Sequence, residues 1–139
     1  MSDLLSSDVL KSLTPQALNE QVEMGLKEGA LALARAGMAL KEIQRRREYP
    51  TTFEAHVFEK FGMSRSRAYQ LIYASEIIAD LADEFPLSRL PKSDSAVLPM
   101  LTLTKEQRIE VWRRALEESK RAPGQGTVKR LVHEINGVA

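Results

Sequence analysis

The side chains best equipped for chemistry in this chain lie in one run, Ser64-Arg65-Ser66-Arg67-Ala68-Tyr69-Gln70. Their chemistry is recognition rather than bond-making. Arginine presents a planar fork of donors that matches phosphate oxygens and the O6/N7 edge of guanine, and glutamine matches adenine in the same two-point fashion. Serine and tyrosine hydroxyls add single hydrogen bonds. Groups that make or break covalent bonds are scarce. There is no cysteine, and the two histidines, His56 and His133, stand far apart. Each reads as an ordinary helix residue rather than a ligand or base. No metalloprotease His pair, phosphate-binding glycine loop or nucleophile elbow occurs. Gly124-Gln125-Gly126 precedes a helix start, but no strand leads into it, so it reads as a turn rather than a phosphate cradle. No enzymatic activity, catalytic residue, cofactor, metal or small-molecule substrate is expected.

The elements that must position this run are two short helices and a tight turn. Thr51-Thr52-Phe53-Glu54 has the form of a capping box, with Thr51 as N-cap and Glu54 reaching back to it. Phe53, Val57, Phe58 and Phe61 are expected to share the buried face of the helix that follows. Gly62 ends it, because glycine enters the left-handed region without a side-chain clash. Ser64 is a preferred N-cap for the second helix. Ala68, Leu71, Ile72 and Ser75 should face inward there, which leaves Arg65, Ser66, Arg67, Tyr69, Gln70 and Tyr73 outside. The first turn carries two arginines and no acid. The positive end of a helix dipole disfavours that choice, so it suits an anionic partner. Two helices, a tight turn and a basic second helix form the pattern of a helix-turn-helix that enters a DNA major groove.

On that reading Arg65, Ser66, Tyr69 and Gln70 contact base edges. Lys41, Arg45, Arg46, Arg47, Lys60, Ser64 and Arg67 contact phosphate. The charge distribution agrees. Net charge over 139 residues is only +1, yet residues 41–73 hold seven bases against four acids, whereas residues 1–40 hold three against five. A local basic patch is what electrostatic docking on a duplex requires. For Arg45-Arg46-Arg47 a second reading stands beside this one, a solvated helix end complementing the negative dipole terminus. No apolar run is long enough to span a membrane, and no signal peptide is apparent, so a cytoplasmic protein is expected.

The whole chain reads as all-α, a helix-turn-helix domain with a long N-terminal helical segment and a C-terminal helical part. The expected division is 1–48, 49–84 and 85–139. A first short helix is expected over Asp3 to Leu13. Thr14-Pro15 starts a pattern that runs to about Glu48, with a break near Gly25 or Gly29 and an end at Tyr49-Pro50. Small residues, Gly37 among them, let helices approach closely. After the second helix of the motif, a connector over 85–91 leads to a short helix from Ser93 or Ser95 to Leu101, limited by Pro99. Thr104 and Gln107 form a second capping box. They open a helix whose inner face should be Ile109, Trp112 and Leu116, with Val111 and Ala115 beside it. Thr127 is expected to cap a last helix, with Val128, Leu131, Val132 and Ile135 inward and a stop at Asn136-Gly137.

The succession IQRRREYPTTFEAHVFEKFGMSRSRAYQLIYASEI, then PKSDSAVLPMLTLTKEQRIEVWRRALEE, then TVKRLVHEI resembles phage- and plasmid-borne bacterial DNA-binding proteins. It is similar to the central DNA-binding domain of the ParB and KorB partition proteins. In those the reading helix begins Gly-x-Ser-Arg-Ser, here Gly62-Met63-Ser64-Arg65-Ser66. The likeness covers roughly residues 40–136. It implies sequence-specific binding of double-stranded DNA in transcription regulation, or in plasmid or phage maintenance on a mobile genetic element, by a nucleoid- or plasmid-associated protein. The residues before Thr51 do not resemble the nucleotide-binding domain of full ParB proteins, so nucleotide-driven clamping is not implied.

A single reading helix covers few base pairs, so a homodimer on palindromic half-sites is expected. Two apolar stripes could supply its interface: Leu18, Val22, Leu26, Leu33 and Leu40, and at heptad spacing Met24, Leu31 and Met38. The alternative function is a helical protein–protein interaction adaptor that keeps the motif's shape without reading DNA. An adaptor would bury Arg65, Arg67 and Gln70 or cover them with acid.

Overall fold

The computed structural model describes residues 11–25 and 29–137, and for 23–25 the backbone alone. The chain is all-α. Among the described residues seven α-helices follow one another: α1 (Pro15–Gly25), α2 (Ala30–Arg46), α3 (Phe53–Phe61), α4 (Arg65–Ala82), α5 (Asp94–Val97), α6 (Lys105–Glu118) and α7 (Gln125–Ile135). Single 3₁₀ turns lie at Leu87–Arg89 and Leu98–Met100. The helix expected over Asp3 to Leu13 lies largely outside the described residues.

Short-range chemistry sets most helix starts. Thr14 Oγ1 accepts from the Ala17 amide at 3.1 Å, with Pro15 in first position. Of the two break points expected within the N-terminal pattern, Gly29 is non-helical and is the N-cap of α2. Thr104 and Gln107 close a full capping box at α6. Three expectations need correcting. The N-cap of α3 is Thr52, which accepts from the Ala55 amide at 3.1 Å, not Thr51. Ala55 then stands where a box needs an acid, so Glu54 is left to pair with Arg65. Gly124, not Thr127, precedes α7, and Thr127 lies within its first turn. The inner face of α6 is Val111, Trp112 and Ala115, while Ile109 and Leu116 are only half-buried.

The core runs along the α2–α4 seam and continues under α6 and α7. Leu33, Ala36, Leu40 and Ile43 of α2 are buried with Leu71, Ile77, Ile78 and Leu81 of α4. Each large aliphatic buried there contributes about 1.5–3 kcal/mol of transfer free energy. The two backbones nearly touch at Gly37. A Cβ built on it would lie 2.1 Å from the Leu71 carbonyl oxygen and 2.6 Å from Ser75 Cβ. Ser75, buried at that crossing, donates its hydroxyl to the Ile72 carbonyl at 2.6 Å. Helix α1 lies against α2, with Leu18 and Val22 fully buried.

The C-terminal helices are fastened by polar contacts at their rims. Trp112 is 1% exposed and donates Nε1–H to the Arg89 carbonyl at 2.8 Å. Arg108 donates to Asp80 at 2.8 Å and to the carbonyls of Met100 and Leu101. It thereby joins α6 to α4 and to the turn beyond Pro99. The stripe of Leu18, Val22, Leu33 and Leu40 is buried within the chain, and Leu31 and Met38 are half-buried against the same core. The Met24 side chain and Leu26 lie outside the described residues.

Candidate nucleic-acid interface

Helices α3 and α4 are joined by the three residues Gly62-Met63-Ser64. Gly62 takes φ 66°, and its amide closes α3 on the Phe58 carbonyl. Met63 is buried and anchors the turn to the core. Ser64 is extended, with Oγ accepting from the Arg67 amide at 3.1 Å. Ala68, Leu71, Ile72 and Ser75 are buried as the spacing predicts. Phe58 is not: its side chain is 69% exposed, in contrast to the shared inner face expected for it. It lies five residues from Phe53, which places it about 140° around the helix from that face.

The outward side chains of α4 fall into two groups. Arg65, Ser66 and Gln70 are exposed. The Arg65 guanidinium lies 5.6 Å from the centroid of the Tyr69 ring and 3.3 Å from a Glu54 oxygen. That ion pair is exposed on both sides, with 70% of the Arg65 side chain and 41% of Glu54 open to water, so it holds Arg65 weakly. Arg67 and Tyr69 are engaged inside the protein. Arg67 pairs with Asp94 of α5. The Tyr69 hydroxyl accepts from Gln44 Nε2 at 2.7 Å, and its ring meets Phe53 edge-on at 5.9 Å. Tyr69 thus fixes α4 against α2 and α3, a contact between residues 25 positions apart that local spacing could not reveal.

The expected phosphate contacts also separate. Arg47 and Lys60 are exposed. Lys41 is exposed but pairs with Glu76 of α4 at 2.9 Å. Arg45 and Arg46 converge on Glu42 at 2.6 and 2.8 Å. Arg46 also donates to the Lys11 carbonyl, and its side chain is only 14% exposed. It is turned into the fold and is not part of the outer surface. Burial of Glu42 on the face of α2 that meets the core draws the Arg46 guanidinium inward, while Arg45 reaches the carboxylate from outside with its side chain 60% exposed. Sequence spacing contained that signal: an acid at positions i−3 and i−4 from two arginines.

Hydrogen bonds from Arg45, opposed by burial and reinforced by Arg46, lower the Glu42 carboxyl from 4.5 to about 2. A carboxyl depressed in the folded state stabilises the fold above its unfolded pKa and loses that contribution as pH falls toward the folded one. Glu42→Gln should therefore cost about 2 kcal/mol at pH 7, below the full shift because water screens the exposed Arg45. The difference from the parent protein should shrink between pH 4.5 and about 2. Urea unfolding at pH 7 and pH 2.5 measures it, and an equal cost at both would remove the ion pair as its cause.

Arg47 is the C-cap of α2 and has φ 54°, the one non-glycine residue with positive φ among those described. Helices usually place glycine or asparagine there. An exposed arginine in that conformation is unfavourable to the backbone, which motivates a role for its charge. Arg47→Gly should raise stability by up to about 1 kcal/mol. On the expectation that Arg47 meets phosphate, it should also weaken binding to any duplex and lower the salt slope by about 0.9. Thermal melts and salt-dependent anisotropy read the two effects. Unchanged binding would leave Arg47 as a strained cap only.

His56 is half-buried and stacked on Tyr49 at 5.0 Å, and burial followed by the nearby Lys60 charge lowers its pKa. His133 is exposed near the end of α7. No group of three or more potential metal ligands occurs among the described residues, nor any helix long and apolar enough to cross a membrane. Comparison of the chain with protein-family models, curated proteins and solved structures finds no match.

Proposed function

We propose that the protein binds double-stranded DNA in a sequence-specific manner, with α3, the turn and α4 acting as a helix-turn-helix. The observation that carries this reading is the first two turns of α4. They present Arg65, Ser66 and Gln70 to solvent with no acid in the first turn, while Ala68, Leu71 and Ile72 on the opposite side are buried. A reading helix needs that combination: mobile donors outside and a rigid seat inside. Base readout falls to Arg65, Ser66 and Gln70. Arg47 and Lys60 supply phosphate contacts, and Tyr69 acts by holding the helix.

The resemblance to ParB- and KorB-like DNA-binding domains supports the same assignment. It extends the proposal to regulation of transcription or maintenance of a plasmid or phage. A two-fold dimer is part of the proposal, because one helix reads too few base pairs to compete with a genome of nonspecific sites. Two observations favour the adaptor reading instead. Arg67 is covered by the Asp94 carboxylate, and Phe58 stands 69% exposed on α3, within the motif, where a partner protein would cover it.

Selection of bound duplexes from a randomised pool, with the full chain, separates the two. A recovered consensus with paired half-sites about one helical turn apart supports the dimeric DNA reader. No enrichment, and no retention of any duplex at 50 mM salt, overturns the DNA reading.

A further inference from the structure

Each arginine in the first turn of α4 is met by a carboxylate from another element, and the two contacts differ. Glu54 holds Arg65 loosely at the open surface. Asp94 holds Arg67 closely, with the side chains only 39% and 21% exposed. Asp94 is the first residue of α5, which packs on both α4 and α7. Its carboxylate is therefore carried on backbone fixed by the C-terminal helices. It cannot follow Arg67 if the guanidinium swings outward. Carboxylate and phosphate oxygens match the same guanidinium fork, so they compete for it.

We propose that Asp94 is an intramolecular competitor for the DNA phosphate, setting the sequence-independent affinity of the protein. The proposal rests on the reading of α4 as the DNA-facing helix. Arg67 reaches phosphate only by leaving Asp94. The carboxylate left behind then faces the negative backbone of the duplex. That penalty is the same for every sequence, so it lowers the affinity for selected and mixed-sequence duplexes by the same factor. Arg65, Ser66 and Gln70 keep their access to base edges. The device sets the overall affinity for duplex and leaves the ratio between sequences to the residues that read bases.

The test uses the full chain and a mixed-sequence duplex, followed by fluorescence anisotropy between 50 and 200 mM salt. The parent protein is compared with Asp94→Asn, Arg67→Ala and the double variant. Asparagine preserves size and helix-start character while removing the charge, and Asp94→Ser serves as a second replacement if Asp94→Asn folds poorly. Asp94→Asn should bind on the order of threefold tighter. Its plot of log affinity against log salt should be steeper by about 0.9, one added phosphate contact. In the Arg67→Ala background the same change should leave out the added phosphate contact and tighten binding less, through relief of the Asp94 charge alone. Asp94→Asn binding no tighter than the parent, or more weakly, overturns the proposal and makes Asp94 a residue that orients Arg67.

Heparin, a sulfated polyanion, keeps the two readings apart. Later elution of Asp94→Asn, with a smaller shift in the Arg67→Ala background and no duplex bound by any variant, leaves the competition standing and removes the DNA reading. Duplex bound by the parent and weakened by Arg65→Ala, with Asp94→Asn without effect, does the reverse. No duplex binding and identical heparin elution removes both.

Discussion

Gly37→Ala should lower the melting temperature by roughly 10 °C, although the same exchange at an open helix position raises it. Alanine is the better helix former by about 1 kcal/mol, so local propensity alone predicts a gain. The crossing of α2 and α4 reverses the sign. A methyl group at Gly37 would lie 2.1 Å from the Leu71 carbonyl oxygen, 2.6 Å from Ser75 Cβ and 2.7 Å from Ser75 Oγ. Two of those atoms belong to, or are bonded directly to, the backbone of α4, so rotating a side chain does not relieve the clash. The helices must separate, and the buried contacts of Leu33, Leu40, Leu71 and Ile78 loosen with them. Overpacking of this kind costs about 3 kcal/mol. Because α4 also carries the proposed reading face, Gly37→Ala should weaken DNA binding only near its lowered melting temperature. Calorimetry of the variant decides the packing claim, and an unchanged or higher melting temperature would mean that the α2–α4 crossing is wider than described.

That crossing also explains why the sequence was legible in some places and silent in others. Helix caps and stops depend on neighbours within four residues. Gly62, Ser64 and the Thr104–Gln107 box accordingly stand where their residue types place them. The inward face of α4 was legible for the same reason, since Ala68, Leu71, Ile72 and Ser75 repeat at helical spacing. Adjacent threonines at 51 and 52 both satisfy a cap pattern, and only the three-dimensional entry of the chain selects the second.

The distant partners of the site's polar groups were not legible. Arg67 meets Asp94 across 27 positions, and Gln44 meets Tyr69 across 25. Those pairings follow from how α2, α4 and α5 pack, which no local period encodes. Arg45-Arg46-Arg47 looked like one basic run, yet its three members do three things. Arg45 caps a buried carboxylate from the outside, Arg46 is drawn in toward it, and Arg47 turns out through a left-handed backbone. The burial of Glu42 divides them. Charge counting along a sequence overstates a docking surface whenever the arginines answer to acids of their own fold.

Arg65→Ala combined with Gln70→Ala should reduce affinity for the selected duplex by about a hundredfold or more while changing affinity for a mixed-sequence duplex only severalfold. Each side chain can make a two-point contact with one base, worth about 1–3 kcal/mol of discrimination. Both are exposed on α4 and neither supports the core, so loss of folding does not explain a loss of binding. Arg65 gives up only its weak contacts to Glu54 and Tyr69. The contrast with Tyr69→Phe separates readout from support. Phenylalanine keeps the ring packing on Phe53 and removes the acceptor for Gln44, so its effect should appear in stability and to an equal degree on both duplexes. Anisotropy on the two duplexes, with melting curves for each variant, measures all of this. An equal loss on selected and mixed-sequence DNA for the Arg65/Gln70 double variant would assign both residues to the phosphate backbone and move base readout elsewhere on the protein.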